Sequence, residues 1–246
     1  MNQLVTRTDR DGISTLELNR PQALNALSPS MFVELRNHLE ELSLIKNEIG
    51  VIILSAAGKS FSAGNDLKAI QRGDRSPSPH YQAETLDLIE SMPQPVIAAV
   101  QGYCYTGALE LVLACDLLIC ADDAIFCDSH GKWSMVPTWG MTTRLPERVG
   151  LMTAKDIMYS GRSISGKEAV QVGLANRSVP EINLKASALE WAADISANSW
   201  HTLAEEKKQI LALSEMERSE GIKWARENGP GAGADMKERI QNSFGR

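Results

Sequence analysis

The sequence predicts an α/β protein with a parallel sheet and a helical C-terminal region. Short apolar runs, VIILSAA, PVIAAVQG and CDLLICA, alternate with helical patterns, which is typical of parallel strands joined by crossover helices. At 246 residues, 43% of them hydrophobic, the chain is long enough for one large domain or for a domain with an appendage. We therefore expect an α/β core over residues 1–190 and a helical region over residues 191–246 that takes part in oligomer packing.

The first elements are predicted from turn and capping residues. The stretch DRDG (Asp9–Gly12) predicts the turn of a hairpin before the strand-like run ISTLELN. Ser28 and Pro29 are typical of a helix N-cap and of the first helical residue. Apolar residues then follow at spacings of three and four and give this helix one apolar face: Phe32, Leu35, Leu39 and Leu42.

Beyond about residue 185 the pattern is helical throughout. Two long helices are predicted, LKASALEWAADISANS and WHTLAEEKKQILALSEMERSEGIKWAREN, with no strand between them. The glycine-rich stretch GPGAGAD (Gly229–Asp235) ends the second of these, and a short helix, MKERIQNSFGR, follows it.

Composition restricts the classes of partner. Acidic residues outnumber basic ones, 31 to 25, which argues against a nucleic-acid partner because phosphate contacts need a basic surface. The sequence opens with no apolar stretch of signal-peptide length and holds no membrane-spanning run, so we expect a cytoplasmic protein without a membrane partner. The cysteines show no CxxC pairing or clustered histidines, so we expect reduced thiols and no metal site: Cys104, Cys115, Cys120 and Cys127.

One carboxylate interrupts an apolar run. Glu110 lies within GYCYTGALELVLACDLLICA, where an unpaired acid is costly unless it is compensated, protonated or used. If a helix begins near Gly107, its first amide groups point outward without helical partners and favour negative charge. Glu110, three residues on, then shares a face with Gly107. The alternative is an ordinary acid in a first helical turn, stabilised by the helix dipole.

A second corner has similar chemistry. The stretch FSAGNDLKAI (Phe61–Ile70) follows a buried strand, and its small residues let a ligand approach the backbone closely. Asn65 or Asp66 can cap the helix that continues through Lys68. Such strand–loop–helix corners are common, but two of them, each with a free amide, suggest an oxyanion hole with two donors.

Several segments together carry a family resemblance. In order and spacing, LNRPQALNALS, FSAGNDLKAI, PVIAAVQGYCYTGALELVLACDLLICADDAIF and VPTWGMTTRLPERVG resemble the enoyl-CoA hydratase/isomerase (crotonase) superfamily, and YSGRSISGKEAVQVGLANRSVP is similar to its next segment. The match covers residues from about 13 to 180 and is loose in the C-terminal helices. The resemblance implies a crotonase-like spiral of repeated ββα turns, a homotrimer or dimer of trimers, and acyl-CoA thioester substrates without a further cofactor.

The resemblance also implies positions for the site. The thioester oxygen would be held by the backbone N–H groups of Asn65 and Gly107, and Glu110 matches the first of the two glutamates that hold water in the hydratases. Coenzyme A and the substrate are implied near two short segments: Gln22, Ala23 and Leu24, and Ala63, Gly64, Asp66, Leu67 and Lys68. Lys68 is interpreted as solvated rather than as a phosphate ligand.

The chain departs from the family at the second glutamate. His130 stands at that position, in SH where the family has Pro-Glu, and the family's PGAGG becomes PTWGM here. A histidine can carry a proton near neutral pH, and Asp128 is close enough in sequence to orient it. The alternative is a loop histidine that has replaced a lost acid. Trp133 and Trp139 are candidates either to line an acyl pocket or to pack.

Three classes of function follow. The first is hydration of 2-enoyl-CoA, or its reverse, with Glu110 as the base that activates water and His130 as the acid that protonates the α-carbon. The second keeps the enolate but changes the reaction to isomerisation, decarboxylation or thioester hydrolysis. GNDL is similar to some 3,2-enoyl-CoA isomerases, although these usually place the working glutamate where His130 stands.

The third is a non-catalytic relative of the fold, against which the retained Glu110 argues. A GxSxG elbow is missing, which argues against a serine hydrolase.

Overall fold

The computed structural model describes residues 3–214 and 216–244. Its strands form a larger and a smaller sheet. The larger, six-stranded sheet has the order β1-β2-β3-β4-β6-β9, and the three-stranded sheet has the order β5-β7-β8. The strands are β1 (Val5–Arg10), β2 (Ile13–Leu18), β3 (Val51–Ala56), β4 (Val96–Val100), β5 (Tyr103–Tyr105), β6 (Leu117–Ala121), β7 (Ile125–Cys127), β8 (Ser163–Ser165) and β9 (Arg177–Val179).

Helices connect and cover these strands. Short 3-10 helices lie at Pro21–Ala23 and His130–Trp133. The α-helices are α1 (Pro29–Leu44), α2 (Leu67–Arg72), α3 (Tyr81–Ser91), α4 (Gly107–Leu113), α5 (Met141–Val149), α6 (Leu151–Ser160), α7 (Gly166–Gln171), α8 (Glu181–Ser196), α9 (Trp200–Leu213), α10 (Arg218–Asn228) and α11 (Met236–Phe244).

The predicted hairpin and first helix are confirmed. β1 and β2 pair antiparallel, and the turn itself is Asp11–Gly12, both with positive φ, which matches the twist of a tight hairpin. The hydroxyl of Ser28 accepts a hydrogen bond from the Met31 N–H at 3.2 Å, and Pro29 is the first residue of α1. The predicted apolar face is buried: Phe32, Leu35, Leu39 and Leu42.

The three apolar runs are confirmed as parallel strands. β2, β3, β4, β6 and β9 pair parallel in turn, and β3 and β4 are buried along almost their whole length. Burial on both faces explains why these strands are continuously apolar rather than alternating. The mixed α/β fold expected from the sequence is therefore present. The carboxyl ends of the parallel strands share one edge of the sheet, and the loops that follow these strands begin there.

The C-terminal helices differ from the prediction in one respect. The long helix predicted from residue 200 to 228 is two helices, because α9 ends at Leu213 and α10 begins at Arg218. α10 folds back so that Gly221 lies against Leu213, whose Cδ2 would be 3.1 Å from a β-carbon at position 221. The break lets Gly221 of α10 pack on Leu213 of α9, which one straight helix would prevent. The glycine-rich interruption and α11 are confirmed, whereas Gly245 and Arg246 lie outside the described residues.

α8 lies across the boundary drawn at residue 190. It begins at Glu181 and packs against β2, β3, β4, β6 and β9, so its apolar residues cover one face of the larger sheet. These buried residues are Leu184, Ala188, Trp191 and Ala192. The division into a core and a separate helical region stays a prediction.

All four cysteines are free and buried. Over the described part of the chain, no helix combines the length and apolarity needed to span a bilayer. The same residues contain no cluster of three or more His, Cys, Asp or Glu side chains arranged to bind a metal ion.

Candidate functional site

The two corners singled out in the sequence lie side by side. The Ser62 N–H donates to the Tyr103 carbonyl at 2.8 Å, and the Tyr105 N–H donates to the Ser62 carbonyl at 3.2 Å. Gly64 has φ +92°, and a β-carbon there would lie 2.6 Å from the Tyr105 carbonyl oxygen. Glycine is therefore required at position 64, and its absent side chain lets the two loops meet.

Asn65 and Gly107 each present a free backbone amide. The amides next to Asn65 are engaged: Gly64 N–H bonds the Ser62 hydroxyl at 3.1 Å, and Asp66 N–H bonds the Leu27 carbonyl at 3.1 Å. Within the residues that the structure describes, the N–H groups of Asn65 and Gly107 donate no hydrogen bond. Gly107 is the first residue of α4, where an unpaired N–H is expected.

Both residues line one cavity of about 290 Å³. The cavity walls mix polar groups with apolar side chains, as in sites that orient a largely apolar ligand by a few polar contacts. They are formed by Ala63, Asn65, Leu67, Thr106, Gly107, Glu110, Ser129, His130, Trp133, Met135, Val136, Thr138 and Trp139.

Glu110 projects into this cavity from α4 and is only 1% exposed. Its Oε1 atom accepts hydrogen bonds from two backbone N–H groups, that of Trp139 at 2.8 Å and that of Met141 at 3.3 Å. Burial raises the pKa of Glu110 above its usual value, although His130 and the two N–H donors oppose this shift. The carboxyl group is thus oriented through one oxygen, and its raised pKa suits it to accept a proton.

His130 lies opposite Glu110. Its Nε2 atom is 3.6 Å from Oε2 of Glu110, and its Nδ1 atom is 2.6 Å from Oδ1 of Asp128. The same Asp128 oxygen also accepts the His130 backbone N–H at 3.1 Å. An ionised Asp128 can only accept, so Nδ1 carries a proton in both the neutral and the protonated ring, and Nε2 faces Glu110. The predicted contact between Asp128 and His130 is present, and all three side chains are buried.

Thr106 and Ser129 belong to the cavity but were not predicted from the sequence. Their hydroxyl oxygens are 2.5 Å apart, and the Ser129 N–H donates to Thr106 Oγ1 at 3.3 Å. Thr106 has φ 56° and ψ −110°, a conformation that is strained for a β-branched residue by roughly 1–3 kcal/mol. Its position directly before a helix-starting glycine was the one available signal. Three further lining residues were not predicted as site residues, although Val136 and Thr138 lie in the VPTWGM stretch that departs from the family: Met135, Val136 and Thr138.

The segments implied for coenzyme A are brought together only in part. Ala63 and Leu67 line the cavity, and the Ala63 N–H donates to the Leu24 carbonyl at 2.9 Å, so the PQALNAL loop adjoins it. The remaining members do not line the cavity: Gln22, Ala23, Leu24, Gly64, Asp66 and Lys68. Gln22 and Lys68 are exposed, and Ala23 and Leu24 are half-buried.

The side chain of Asp66 has a local structural role. Its Oδ1 caps α2 by accepting the Ala69 N–H at 3.0 Å, and its Oδ2 pairs with Arg20 at 2.5 Å. Burial alone would raise the pKa of Asp66, but Arg20 and the cap hold it below its usual value. Of the two capping candidates, Asp66 is therefore the cap, which leaves Asn65 at the cavity.

The two tryptophans occupy different settings. Trp133 is 59% exposed at the cavity wall. The Trp139 ring lies edge-on to Phe32, with ring centroids 5.1 Å apart, and its Cζ3 would be 2.6 Å from a β-carbon on Gly107. Trp139 thus both packs and lines the cavity, and the role of the two tryptophans in an acyl pocket stays a prediction.

Comparisons with known proteins agree with this architecture. The family model for enoyl-CoA hydratase/isomerase matches residues 8–242. A Mycobacterium bovis protein named "Probable enoyl-CoA hydratase echA8" is 35% identical over 226 residues, which cover 91% of this chain and 86% of that protein. "Enoyl-CoA hydratase, mitochondrial" from Pongo abelii is 32% identical over 222 residues, covering 88% of this chain and 75% of that protein.

A solved structure gives the same result for the fold. The crystal structure of an enoyl-CoA hydratase from Bacillus anthracis superposes with a TM-score of 0.90 at 30% identity, covering 99% of this chain and 97% of that one. The fold expected from the family resemblance is therefore confirmed as the crotonase fold. The chain belongs to the enoyl-CoA hydratase/isomerase family.

Proposed function

We propose that this protein adds water to the double bond of 2-enoyl-CoA thioesters, or catalyses the reverse dehydration. The observation that carries the proposal is the 3.6 Å approach of Glu110 Oε2 to His130 Nε2 in a cavity that Asn65 and Gly107 also line. A carboxyl group and an imidazole, both able to transfer protons, face each other there beside two free backbone amides. The names of the relatives, which are enoyl-CoA hydratases, support the same reaction class.

The proposed reaction begins with the thioester oxygen at the N–H groups of Asn65 and Gly107. A water molecule bound to Glu110 loses a proton to Oε2 as its oxygen bonds to the β-carbon. The π electrons of the double bond move toward the thioester oxygen, and the two amides hold the resulting enolate. Removing one such donor typically costs ~2.7–4 kcal/mol of transition-state stabilisation.

In its protonated form, His130 then donates the Nε2 proton to the α-carbon. This converts the enolate into the thioester product. This leaves Glu110 protonated and His130 neutral, so one proton has to return before the next turnover. The Oε2–Nε2 separation of 3.6 Å is longer than a hydrogen bond, so that proton returns through one water molecule that contacts both atoms. The overall change is the addition of one H₂O, and both side chains end in their starting states.

The surroundings of the pair support this division of roles. Two backbone N–H groups occupy Oε1 of Glu110, which leaves Oε2 as the oxygen that faces the reactants. The Asp128 carboxylate holds His130 through Nδ1 and stabilises the positive charge that the ring needs as an acid. In this proposal the acyl-CoA enters beside the PQALNAL loop and Ala63, and the protein assembles as a homotrimer or a dimer of trimers.

The His130–Asp128 pair also favours a second candidate, thioester hydrolysis. A neutral imidazole held by a carboxylate can take a proton from water as the water oxygen attacks the thioester carbon. The same two amides would stabilise the tetrahedral oxyanion, and the thiolate of coenzyme A would leave with the proton from Nε2. Hydrolysis therefore differs from hydration in the carbon attacked and in the release of free coenzyme A.

The test is an acyl-CoA panel with product identification by mass spectrometry. It includes 2-enoyl-CoAs from crotonyl-CoA upward, together with 3-enoyl-, malonyl- and 3-hydroxyacyl-CoAs, each with wild type, Glu110→Gln and His130→Ala. The exposed residues Glu147 and His80 provide matched controls, Glu147→Gln and His80→Ala. We expect hydration that both site variants lose and both controls keep. Hydration no faster than with Glu110→Gln at every chain length would overturn the proposal, and release of free coenzyme A would favour hydrolysis.

A further inference from the structure

Glu110 owes its orientation to the backbone of a short loop. The N–H groups of Trp139 and Met141 both donate to its Oε1 atom, and these residues flank Gly140 at the start of α5. Two donors from one short loop stay aimed at a carboxyl oxygen only while the loop keeps its orientation. What fixes the loop therefore fixes Glu110.

Arg144 is the side chain that holds this loop from behind. Its Nη1 donates to the Trp139 carbonyl at 2.5 Å, on the same residue whose N–H donates to Glu110. The opposite side of the guanidinium forms a bidentate pair with Glu90 of α3, at 2.7 Å from Nε and 2.6 Å from Nη2. Nη2 also reaches Asp87 at 2.8 Å. The planar fork, whose side chain is only 11% exposed, thus links α3 to the loop.

Gly140 provides the space for this link. It has φ +105°, and a β-carbon at this position would collide with Nη1 of Arg144. The Arg144 N–H also donates to the Gly140 carbonyl at 2.9 Å, so backbone and side chain of Arg144 both contact the loop. A substitution at Gly140 would displace the guanidinium without removing any charge, and at φ +105° it would also strain the loop backbone.

We propose that Arg144, held by Glu90, is a positioning residue that fixes the Trp139–Met141 backbone and thereby holds Glu110 with Oε1 bound and Oε2 free. Arg144 does not touch the cavity, so it acts through the two N–H donors. The consequence for activity rests on the proposed function, whereas the consequence for Glu110 itself does not.

The experiment compares Arg144→Lys and Gly140→Ala with wild type. Lysine keeps the charge but lacks the fork that contacts Trp139 and Glu90 together. The matched control is Arg36→Lys, because Arg36 also pairs with a carboxylate of α3, Glu84 at 3.2 Å, and makes no hydrogen bond to the loop. Folding of each variant is checked by circular dichroism and by urea unfolding.

The first readout is the titration of Glu110, followed by NMR of protein labelled with ¹³C at the glutamate side-chain carboxyl and assigned with Glu110→Gln. Hydrogen-bond donors stabilise the ionised carboxyl, so losing their alignment moves the titration of Glu110 to higher pH. We expect this shift in Arg144→Lys and Gly140→Ala but not in Arg36→Lys. An unchanged Glu110 titration in folded Arg144→Lys would overturn the proposal, even with a shift in Gly140→Ala, because alanine at position 140 also strains the loop backbone itself.

The second readout is turnover of the best substrate from the panel. We expect kcat to fall about 10- to 100-fold with little change in KM, and its pH dependence to move in the same direction as the Glu110 titration. If Arg144→Lys is less stable than wild type but its kcat has the same pH dependence, the role of Arg144 is only structural. That result would contradict the proposal. If wild type fails to hydrate any enoyl-CoA while the Glu110 titration still shifts, the proposed function fails and the positioning role stands.

Discussion

Oε2 of Glu110 lies 3.6 Å from Nε2 of His130, and the far nitrogen of that ring lies 2.6 Å from Asp128. The three groups form a buried row in which carboxylates flank one imidazole. Oε1 of Glu110 and Nδ1 of His130 are engaged by protein groups, so the two facing atoms are the ones left for a substrate or a water molecule. In the proposed reaction these two atoms handle the protons, at one end of a cavity that is otherwise lined by neutral groups.

The Asp128 contact predicts the effect of a conservative change. In Asp128→Asn the side chain no longer carries the charge that supports a protonated His130, so we expect kcat to fall about 10- to 100-fold. Steady-state kinetics on the substrate found in the panel measure the change. The exposed neighbour Asp123 provides the control, and Asp123→Asn is expected to keep full activity. Full activity in Asp128→Asn would show that His130 needs no carboxylate behind it.

The raised pKa of Glu110 predicts a pH-dependent gain in stability on its removal. Because its folded pKa lies above the unfolded value, the folded state binds this proton more tightly, and stability is lost as the pH rises through the folded pKa. Glu110→Gln stays neutral, and its amide oxygen can still accept the two N–H groups. We expect its Tm to exceed that of wild type at about pH 8, and the excess to shrink as the pH falls toward the usual value of 4.5.

Thermal unfolding over a range of pH measures this difference, with the exposed Glu147→Gln as its control. A Tm difference for Glu110→Gln that stays constant from acid to alkaline pH would show that burial of the charge has no part in it.

Strain at Thr106 predicts an unusual order of stability. Thr106→Ala and Thr106→Gly both remove the hydroxyl contact with Ser129, but only glycine also relieves the positive φ. We expect the glycine variant to be more stable than the alanine variant by about 1 kcal/mol in urea unfolding. Ala108→Gly, inside α4, should show the ordinary order, with alanine the more stable by roughly 0.5–1 kcal/mol. An alanine variant at 106 as stable as the glycine variant would contradict the strain.

The contacts of Lys207 attach α9 to the core and predict a loss of stability when they are removed. Its buried Nζ donates to Asp116 at 2.7 Å and to the carbonyls of Ile89 and Gln94 at 2.9 and 3.1 Å. In Lys207→Met these acceptors lose their donor, so we expect a loss of about 2–3 kcal/mol in the free energy of unfolding. Lys208→Met, on the exposed side of α9, serves as the control.

Asp116 is exposed, so water solvates its charge when Lys207 is removed, and adding Asp116→Asn to Lys207→Met should recover little of that loss. Full recovery in the double variant would place the energetic role of Lys207 in the ion pair rather than in its carbonyl contacts.

Much of the fold followed from neighbouring residues. The hairpin turn, the Ser28 cap and the buried face of α1 depend on hydrogen bonds and periodicity within a few positions, and all were predicted. The split between α9 and α10 was missed because it depends on Gly221 meeting Leu213, a packing contact that helix periodicity does not express. The six-stranded order likewise depends on crossovers that a list of apolar runs leaves open.

The sequence by itself determined the family, the α/β class and the presence of Glu110, His130 and two glycine-containing corners along the chain. The tertiary structure decided which atoms of these groups face one another, that Asp66 rather than Asn65 caps α2, and that Arg144 supports the loop behind Glu110. The physical reason is range: caps, turns and amphipathic faces arise from residues close in sequence. The geometry of the candidate site joins groups that are tens of residues apart, and only the packed sheets and helices fix their separation.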